Sequence, residues 1–385
     1  MLRILTGGES HGPACTAIIE GLPAGVGVSL DAINYDLKRR RTDYGRGGRG
    51  RIETDRVEIL SGVRGGLTLG SPVTALVRNR DFTNWRSVMA VAAAGEEAPE
   101  INNPRPGHAD LAGAIKYGQS DLRNISERAS ARETVARVAA GAIIRSFLSE
   151  LGLSVASHTV QIGVVKLARH DYGFAEAATV FATDPLVRCI DAASSRRMRR
   201  AIREARARGD TLGGAVEVIA SGVPAGLGSV MHFDRRLDAR LAAALMSIPS
   251  VKAVEIGDAI AGSALPGSAF QDIIAVENGH LTRLTNRAGG IEGGMSNGQD
   301  IVCRLFLKPL ASTGAPLPSI NLATRQTGFA DIMRSDVCAV PRAGVVAEAM
   351  TVLVIGDCLL EKFGGDHIRE TKGNLQAYLN QGRSG

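Results

Sequence analysis

The sequence predicts a mixed α+β protein whose two halves are related and share one core. Three observations lead there: four long segments carry apolar residues at helical spacing, short β-branched runs end in Gly or Pro, and one seven-residue string occurs twice. The string is Gly21-Leu-Pro-Ala-Gly-Val-Gly27 and again Gly222-Val-Pro-Ala-Gly-Leu-Gly228, each after an apolar strand-like run and before a helical pattern. A Pro-Ala-Gly turn fixes one φ angle and frees another, which suits a strand exit. Turn residues also recur by chance, so the repeat alone leaves coincidence open.

In chain order, Leu2 to Leu5 and the β-like Ala17 to Glu20 read as strands. Glu127 to Leu151 places Val135, Val138 and Ala142 on one helical face and stops at Gly152. Ser194 to Arg208 carries Met198, Ile202 and Ala205 on one stripe; Arg196, Arg197, Arg199, Arg200 and Arg203 read as its solvated face rather than a binding site. Val216 to Ala220 is a strand, and Asp234 to Ser247 a helix with Leu237, Leu241 and Leu245 in register before Pro249. Ile301 to Leu307 is a strand, and Val345 to Phe363 a long, apolar, buried helix. Ala168 to Val187 carries no assignable pattern.

Composition bounds the class. With 44% hydrophobic and 22% charged residues the 385-residue chain is that of an ordinary globular protein, and length alone allows more than one domain. Net charge is +6, and all but seven of the 45 basic side chains are Arg, a planar fork suited to phosphates and carboxylates, although a solvated surface uses Arg as well. Cys15, Cys189, Cys303, Cys338 and Cys358 are scattered without metal-site spacing, as expected of thiols in a reducing cytosol, and no metal is expected. No secretory leader or membrane-length apolar stretch is read, so the expectation is a cytoplasmic protein without a membrane partner.

Two motif matches mislead. Gly8-Glu9-Ser10-His11-Gly12 fits the nucleophile elbow of serine hydrolases, but Pro13 and a β-like run replace the helix that must follow. Gly45-Arg46-Gly47-Gly48-Arg49-Gly50 fits the dinucleotide fingerprint in the wrong order, with a helix-like run before it and a strand-like one after. As an Arg-Gly box for RNA it is a single short cluster, and aromatic residues for stacking are only 4% of the chain, so nucleic acid is not an expected partner.

The chemistry concentrates in long Gly-, Pro- and Asn-rich loops at Arg39 to Arg51, Gly95 to His108, Gly289 to Gly298 and Lys308 to Arg342. Two histidines lie there among small residues, His11 and His108, and an imidazole suits proton transfer near neutrality. His158, His170, His232, His280 and His367 lack such a setting and read as structural. Arg39 to Arg46 can close around an anion or form a solvated basic loop. Arg128-Ala129-Ser130-Ala131-Arg132 lies at the start of the first long helix, whose free N–H groups favour phosphate, or simply caps it. Gly290 to Gly298 and Lys308 to Thr313 can seat phosphate or a planar ring, and Arg334-Ser335-Asp336 pairs a cation with a carboxylate.

This ordered set resembles the chorismate synthase family from Met1 to about Tyr378. It rests on Gly8 to Pro13, Arg39 to Arg51, Arg78 to Asp81, Arg105 to Asp110, Glu127 to Arg132, Gly289 to Gln299 and Arg334 to Ala343. The resemblance implies a single domain over residues 1–385, a β-α-β sandwich of two pseudo-related halves, and a homotetramer. It implies 1,4-elimination of phosphate from 5-enolpyruvylshikimate 3-phosphate, requiring reduced FMN, with NADPH as a possible reductant. Carried over by position, His11 and His108 handle protons and Asp336 lies beside the flavin. FMN contacts fall on Arg128, Ala129, Ser130, Pro249, Ser250, Gly293, Lys308, Pro309, Leu310, Ala311, Ser312 and Arg334. Arg40 and Arg46 match positions facing a phosphate-bearing ligand. Many relatives read Lys-Pro-Thr-Ser-Ser where this chain has Lys308-Pro-Leu-Ala-Ser312, so contacts at Leu310 and Ala311 fall to backbone N–H groups.

Overall fold

The computed structural model describes residues 1–47, 54–92, 99–168, 172–277, 280–331 and 336–381. In the first half, strands β1 (Arg3–Gly7), β2 (Ala14–Glu20), β3 (Val57–Ser61) and β4 (Val73–Arg78) form an antiparallel sheet in the order β1-β2-β4-β3. In the second half, β5 (Ser154–Ile162), β6 (Val165–Lys166), β7 (Gly214–Ser221), β8 (Val251–Ile256) and β9 (Ile301–Leu307) run in the order β8-β9-β7-β5-β6. Setting aside the short β6, each half orders its strands first, second, fourth, third.

The longer helices are α1 (Leu30–Arg41), α2 (Asp110–Tyr117), α3 (Arg123–Ala129), α4 (Thr134–Glu150), α5 (Phe174–Thr183), α6 (Ala192–Ala207), α7 (Leu237–Met246), α8 (Val340–Phe363) and α9 (Ile368–Gln381). Helices α1, α4, α7 and α8 form a layer between the sheets, so the architecture is the expected β-α-β sandwich. Alternation drives this: Cys15, Ala17 and Ile19 on β2 and Val73, Ala75 and Val77 on β4 are buried against the helices. Helix α1 follows β2 as α7 follows β7, and α4 follows β4 as α8 follows β9.

The repeated string is the hinge of this pseudo-symmetry. In the first copy the Thr68 hydroxyl accepts from Val26 N–H at 2.9 Å and donates to Pro23 O at 2.6 Å. In the second, the Ser296 hydroxyl accepts from Leu227 N–H at 2.8 Å and donates to Pro224 O at 2.6 Å. Gly21 and Gly222 both take positive φ, 87° and 78°, where an added Cβ would meet a backbone carbonyl. The repeat is therefore structural, not coincidental.

Helices α4 and α8 run parallel and in close contact, with Gly141 against Ala349 and Gly356 against Ile144 and Leu148. Their N-termini thus open at the same end of the molecule. A Cβ at Gly141 would lie 2.4 Å from that of Ala349. Gly141→Ala is expected to lower stability by about 1–3 kcal/mol in denaturant titration despite alanine's better helix propensity. A midpoint equal to or above the parent's would show that the helices tolerate a wider spacing.

Several boundaries differ from the sequence expectation. The helix expected from Glu127 to Leu151 breaks at Ser130, whose backbone is extended and whose hydroxyl accepts from Arg132 N–H; α3 ends before it and α4 begins after a 3₁₀ turn at Ala131–Glu133. Helix α8 begins at Val340 rather than Val345, because Pro341 fits the first helical turn. It is the one described helix long and apolar enough to cross a membrane, and most of it is core. Arg39 to Arg41 belong to α1, not to a loop. On α6, Met198, Ile202 and Ala205 are fully buried while Arg196, Arg197, Arg200 and Arg203 face solvent, as read; Arg199 instead is half-buried and pairs with Asp184, whose carboxylate accepts from its guanidinium. All five cysteines are buried and unpaired.

Arg39 is anchored by the core. Its guanidinium forks onto Glu348 of α8 at 2.7 and 2.6 Å and onto Asp36 at 2.9 Å. Glu348 also accepts from Arg145 at 2.7 Å and from Ser157 at 2.7 Å, joining both halves through one carboxylate.

Candidate functional site

The common end of α4 and α8 is where the connecting loops converge. From the first half come the β1–β2 loop, the segment after β4 and the turn before α4; from the second come the turn before β8, the loop after β9 and the segment before α8. They enclose a cavity of about 920 Å³, at the upper end of the roughly 300–1,000 Å³ usual for small-molecule sites. Polar ties hold the walls: Asn79 donates to Gly12 O at 2.7 Å and Glu9 O at 3.1 Å, and accepts from Arg132 Nε at 2.8 Å.

His11 and His108 both face this cavity. His11 Nδ1 lies 2.7 Å from Glu127 Oε1, and its backbone N–H donates to the other carboxylate oxygen at 2.6 Å. His108 Nδ1 lies 2.5 Å from Asp110 Oδ1. At His11 a carboxylate on Nδ1 favours the proton there and leaves Nε2 to exchange one with a ligand, whereas His108 Nδ1 also lies 3.0 Å from Arg105 Nη2. Each imidazole is thus half of a His–carboxylate dyad.

The His108 dyad is braced by cations. Arg105 donates to Asp110 through Nε at 2.8 Å and Nη2 at 3.0 Å, and its Nη1 reaches Ser312 Oγ at 2.9 Å. Burial pushes the Asp110 carboxyl up, but His108 and Arg105 outweigh it and hold it below the usual carboxylate range. Lys308 Nζ donates to Gly107 O at 2.6 Å, tying the second half's loop to the first half's histidine.

Asp336 faces the cavity from the segment before α8. It accepts from Gly47 N–H at 2.6 Å and from the Arg342 guanidinium. Burial raises its carboxyl, yet Arg342, the Gly47 N–H and Arg46 together hold it below the usual range, so it is an anion at neutral pH. Ser250 lines the cavity at φ 74°, a left-handed conformation uncommon for a residue with a side chain, and its carbonyl accepts from Lys308 N–H at 2.9 Å. Such strain gathers where geometry serves a ligand.

Of the expected site residues, His11, His108, Asp336, Ala129, Ser130, Pro249, Ser250, Lys308, Leu310, Ala311 and Ser312 line the one cavity. Pro309 is exposed in the same loop. Arg128 is exposed and donates outward to Gly8 O at 3.0 Å and Thr6 O at 3.1 Å. Arg40 lies buried behind the Ser130 turn, donating to Thr134 Oγ1 at 3.0 Å and Ala131 O at 2.8 Å, while Arg46 donates to Arg41 O at 2.5 Å. Gly293 sits apart, between the short strands Ile291–Glu292 and Met295–Ser296 and beside Val230. Arg334 lies outside the described residues, as does Gly48 to Arg51.

Sequence reasoning missed Glu127, Asp81, Trp85 and the bracing role of Arg105. Asp110, two residues from His108, carried a local signal; Glu127, 116 residues from its histidine, carried none. The nucleophile-elbow match is set aside here, since Ser10 is buried against Ser130 at 3.1 Å and β2 follows in place of a helix.

A family model described as chorismate synthase matches residues 2–360. Relatives of that name from Carboxydothermus hydrogenoformans and Moorella thermoacetica are 52% and 54% identical, each over 98% of this chain and 98% of the relative's own length. A solved structure described as a crystal structure of chorismate synthase matches with a TM-score of 0.80 at 38% identity, covering 100% of this chain and 99% of that one.

Proposed function

The chain belongs to the chorismate synthase family, lyases of the shikimate pathway, and on that premise we propose that the cavity at the N-terminal ends of α4 and α8 holds reduced FMN and 5-enolpyruvylshikimate 3-phosphate together. The observation that carries the site assignment is the pair of His–carboxylate dyads facing one cavity with Arg105 and Lys308. The lining suits both ligands: Ile101, Ala129, Leu310 and Ala311 offer an apolar surface for a planar ring. Arg105 and Lys308 supply charged donors for phosphate, beside the wall where α4 begins.

The reaction breaks the ring C–O bond to phosphate and one ring C–H bond, forming a second ring double bond; the proton passes to a base and phosphate departs with the electron pair. Reduced FMN, when bound, supplies an electron-rich ring that steadies the breaking C–O bond without net redox. The imidazoles of His11 and His108 hold and release protons at Nε2, one steadying the departing phosphate. Asp336, kept anionic by Arg342, is the acidic neighbour of the flavin. Arg40 and Arg46 are not among the residues lining this cavity, and Arg40 steadies its wall by donating to Ala131 O. The chain works as one domain, as a cytoplasmic homotetramer.

FMN with substrate is expected to raise the thermal midpoint and perturb flavin absorbance, because ligands bound only to the native state stabilise it. Lys308→Ala should weaken that shift at unchanged ligand-free stability. An unshifted midpoint in the parent protein at saturating ligands would remove this site.

A further inference from the structure

We propose that Trp85 is a positioning residue for His11, stacked on the imidazole so that the ring can turn neither away from the substrate nor out of line with Glu127. Trp85 is the only tryptophan in the chain. It ends the single helical turn Phe82–Trp85 after β4, and the turn is braced by Asn84 Nδ2 on Asp81 Oδ1 at 2.8 Å. Its ring lies over His11 with centroids 4.0 Å apart and planes at 22°, and both rings line the cavity. Glu127 holds one edge of the imidazole at Nδ1, and a single hydrogen bond leaves the ring free to pivot about it. The indole face removes that freedom.

Two carboxylates lie beside the stacked imidazole. Glu127 from α3 is at 2.7 Å, and Asp81 from the segment after β4 is 4.0 Å from Nε2. Glu9 precedes His11 in its loop, and Arg128 of α3 donates to Gly8 O at 3.0 Å in the same loop. Arg80 adjoins Asp81 in the sequence and is engaged in contacts of its own. An imidazolium over an indole face adds cation–π attraction, so the stack tightens when the proton is on. This role rests on His11 acting in the elimination; the contact itself does not.

A protonated imidazole in contact quenches excited indole, and no other tryptophan contributes emission. Across an acid titration, tryptophan emission of the parent protein should therefore depart from that of His11→Asn. Trp85→Leu should lower kcat by roughly 2- to 10-fold with KM little changed, the factor expected from losing a stacked aromatic pair. Trp85→Phe should restore most of it, because a phenyl face can still hold the ring. Emission identical in the parent protein and in His11→Asn throughout that titration would overturn the contact. Full kcat in Trp85→Leu, or a Trp85→Phe as slow as Trp85→Leu, would overturn the positioning role. If His11→Asn keeps full turnover, the catalytic reading of His11 fails, and the emission titration still decides the contact.

Discussion

His11→Ala and His108→Ala are each expected to lower chorismate formation by roughly 10²- to 10⁴-fold, about 3–5 kcal/mol of barrier, which is the usual worth of a positioned proton-transfer group. Both imidazoles face one cavity, and each has its far nitrogen fixed by a carboxylate. Neither is packed in the core, so both variants should fold and bind FMN. His232→Ala is the control, since His232 is exposed and away from the cavity. His158, read from sequence as another structural histidine, is a poorer control: it is 1% exposed, bonded to Glu217 at 3.2 Å, and set edge-on to Tyr172. Near-parental turnover in either variant, measured with reduced FMN supplied, would remove that histidine from the mechanism.

Glu348→Gln should cost about 3–5 kcal/mol of stability, the usual penalty for removing one partner of a buried ion pair. Glu348 is fully buried and serves both Arg39 and Arg145, so neutralising it leaves the buried Arg39 and the partly exposed Arg145 with Asp36 as their shared carboxylate. Burial pushes the Glu348 carboxyl up, but Arg39 and Arg145 outweigh it and hold it below its ordinary 4.5. A carboxyl depressed in the folded state stabilises above its unfolded pKa, and the contribution is lost as pH falls through the folded one. The parent should therefore lose stability below about pH 4.5, and the variant should lack that part of the acid slope. Equal denaturant midpoints at neutral pH would show the network contributes nothing.

What the sequence made legible was periodic or local. The two Gly-x-Pro-Ala-Gly-x-Gly turns announced the related halves because the same turn chemistry was needed at the same strand exit twice. Leu237, Leu241 and Leu245 marked α7 because burial follows the helical repeat. The break at Ser130 was hidden because a side-chain cap interrupts a helix without disturbing its apolar pattern. The Arg39 to Arg46 cluster read equally well as an anion clamp or a wet loop. Neither reading could see Glu348, 309 residues away, which makes Arg39 a core ion pair. Likewise His11 was visible beside glycine, but Glu127 and Trp85 reach it only through the tertiary fold.

The family resemblance supplied residues that geometry alone did not join. Ala129, Ser130, Ser250, Lys308, Leu310, Ala311 and Ser312 come from both halves yet share one cavity, while Gly293 stays on the hairpin that clasps the second repeated turn. In the proposed site the connections after β4 and after β9, equivalent in the two halves, meet where two parallel helices begin.

The most direct test of this account is an anaerobic assay of the purified protein with chemically reduced FMN and 5-enolpyruvylshikimate 3-phosphate, following chorismate and released phosphate together. The account predicts equimolar chorismate and phosphate without net flavin oxidation, and loss of both in the His11→Ala, His108→Ala double variant. Absence of chorismate from the parent protein, or an unimpaired double variant, would contradict it.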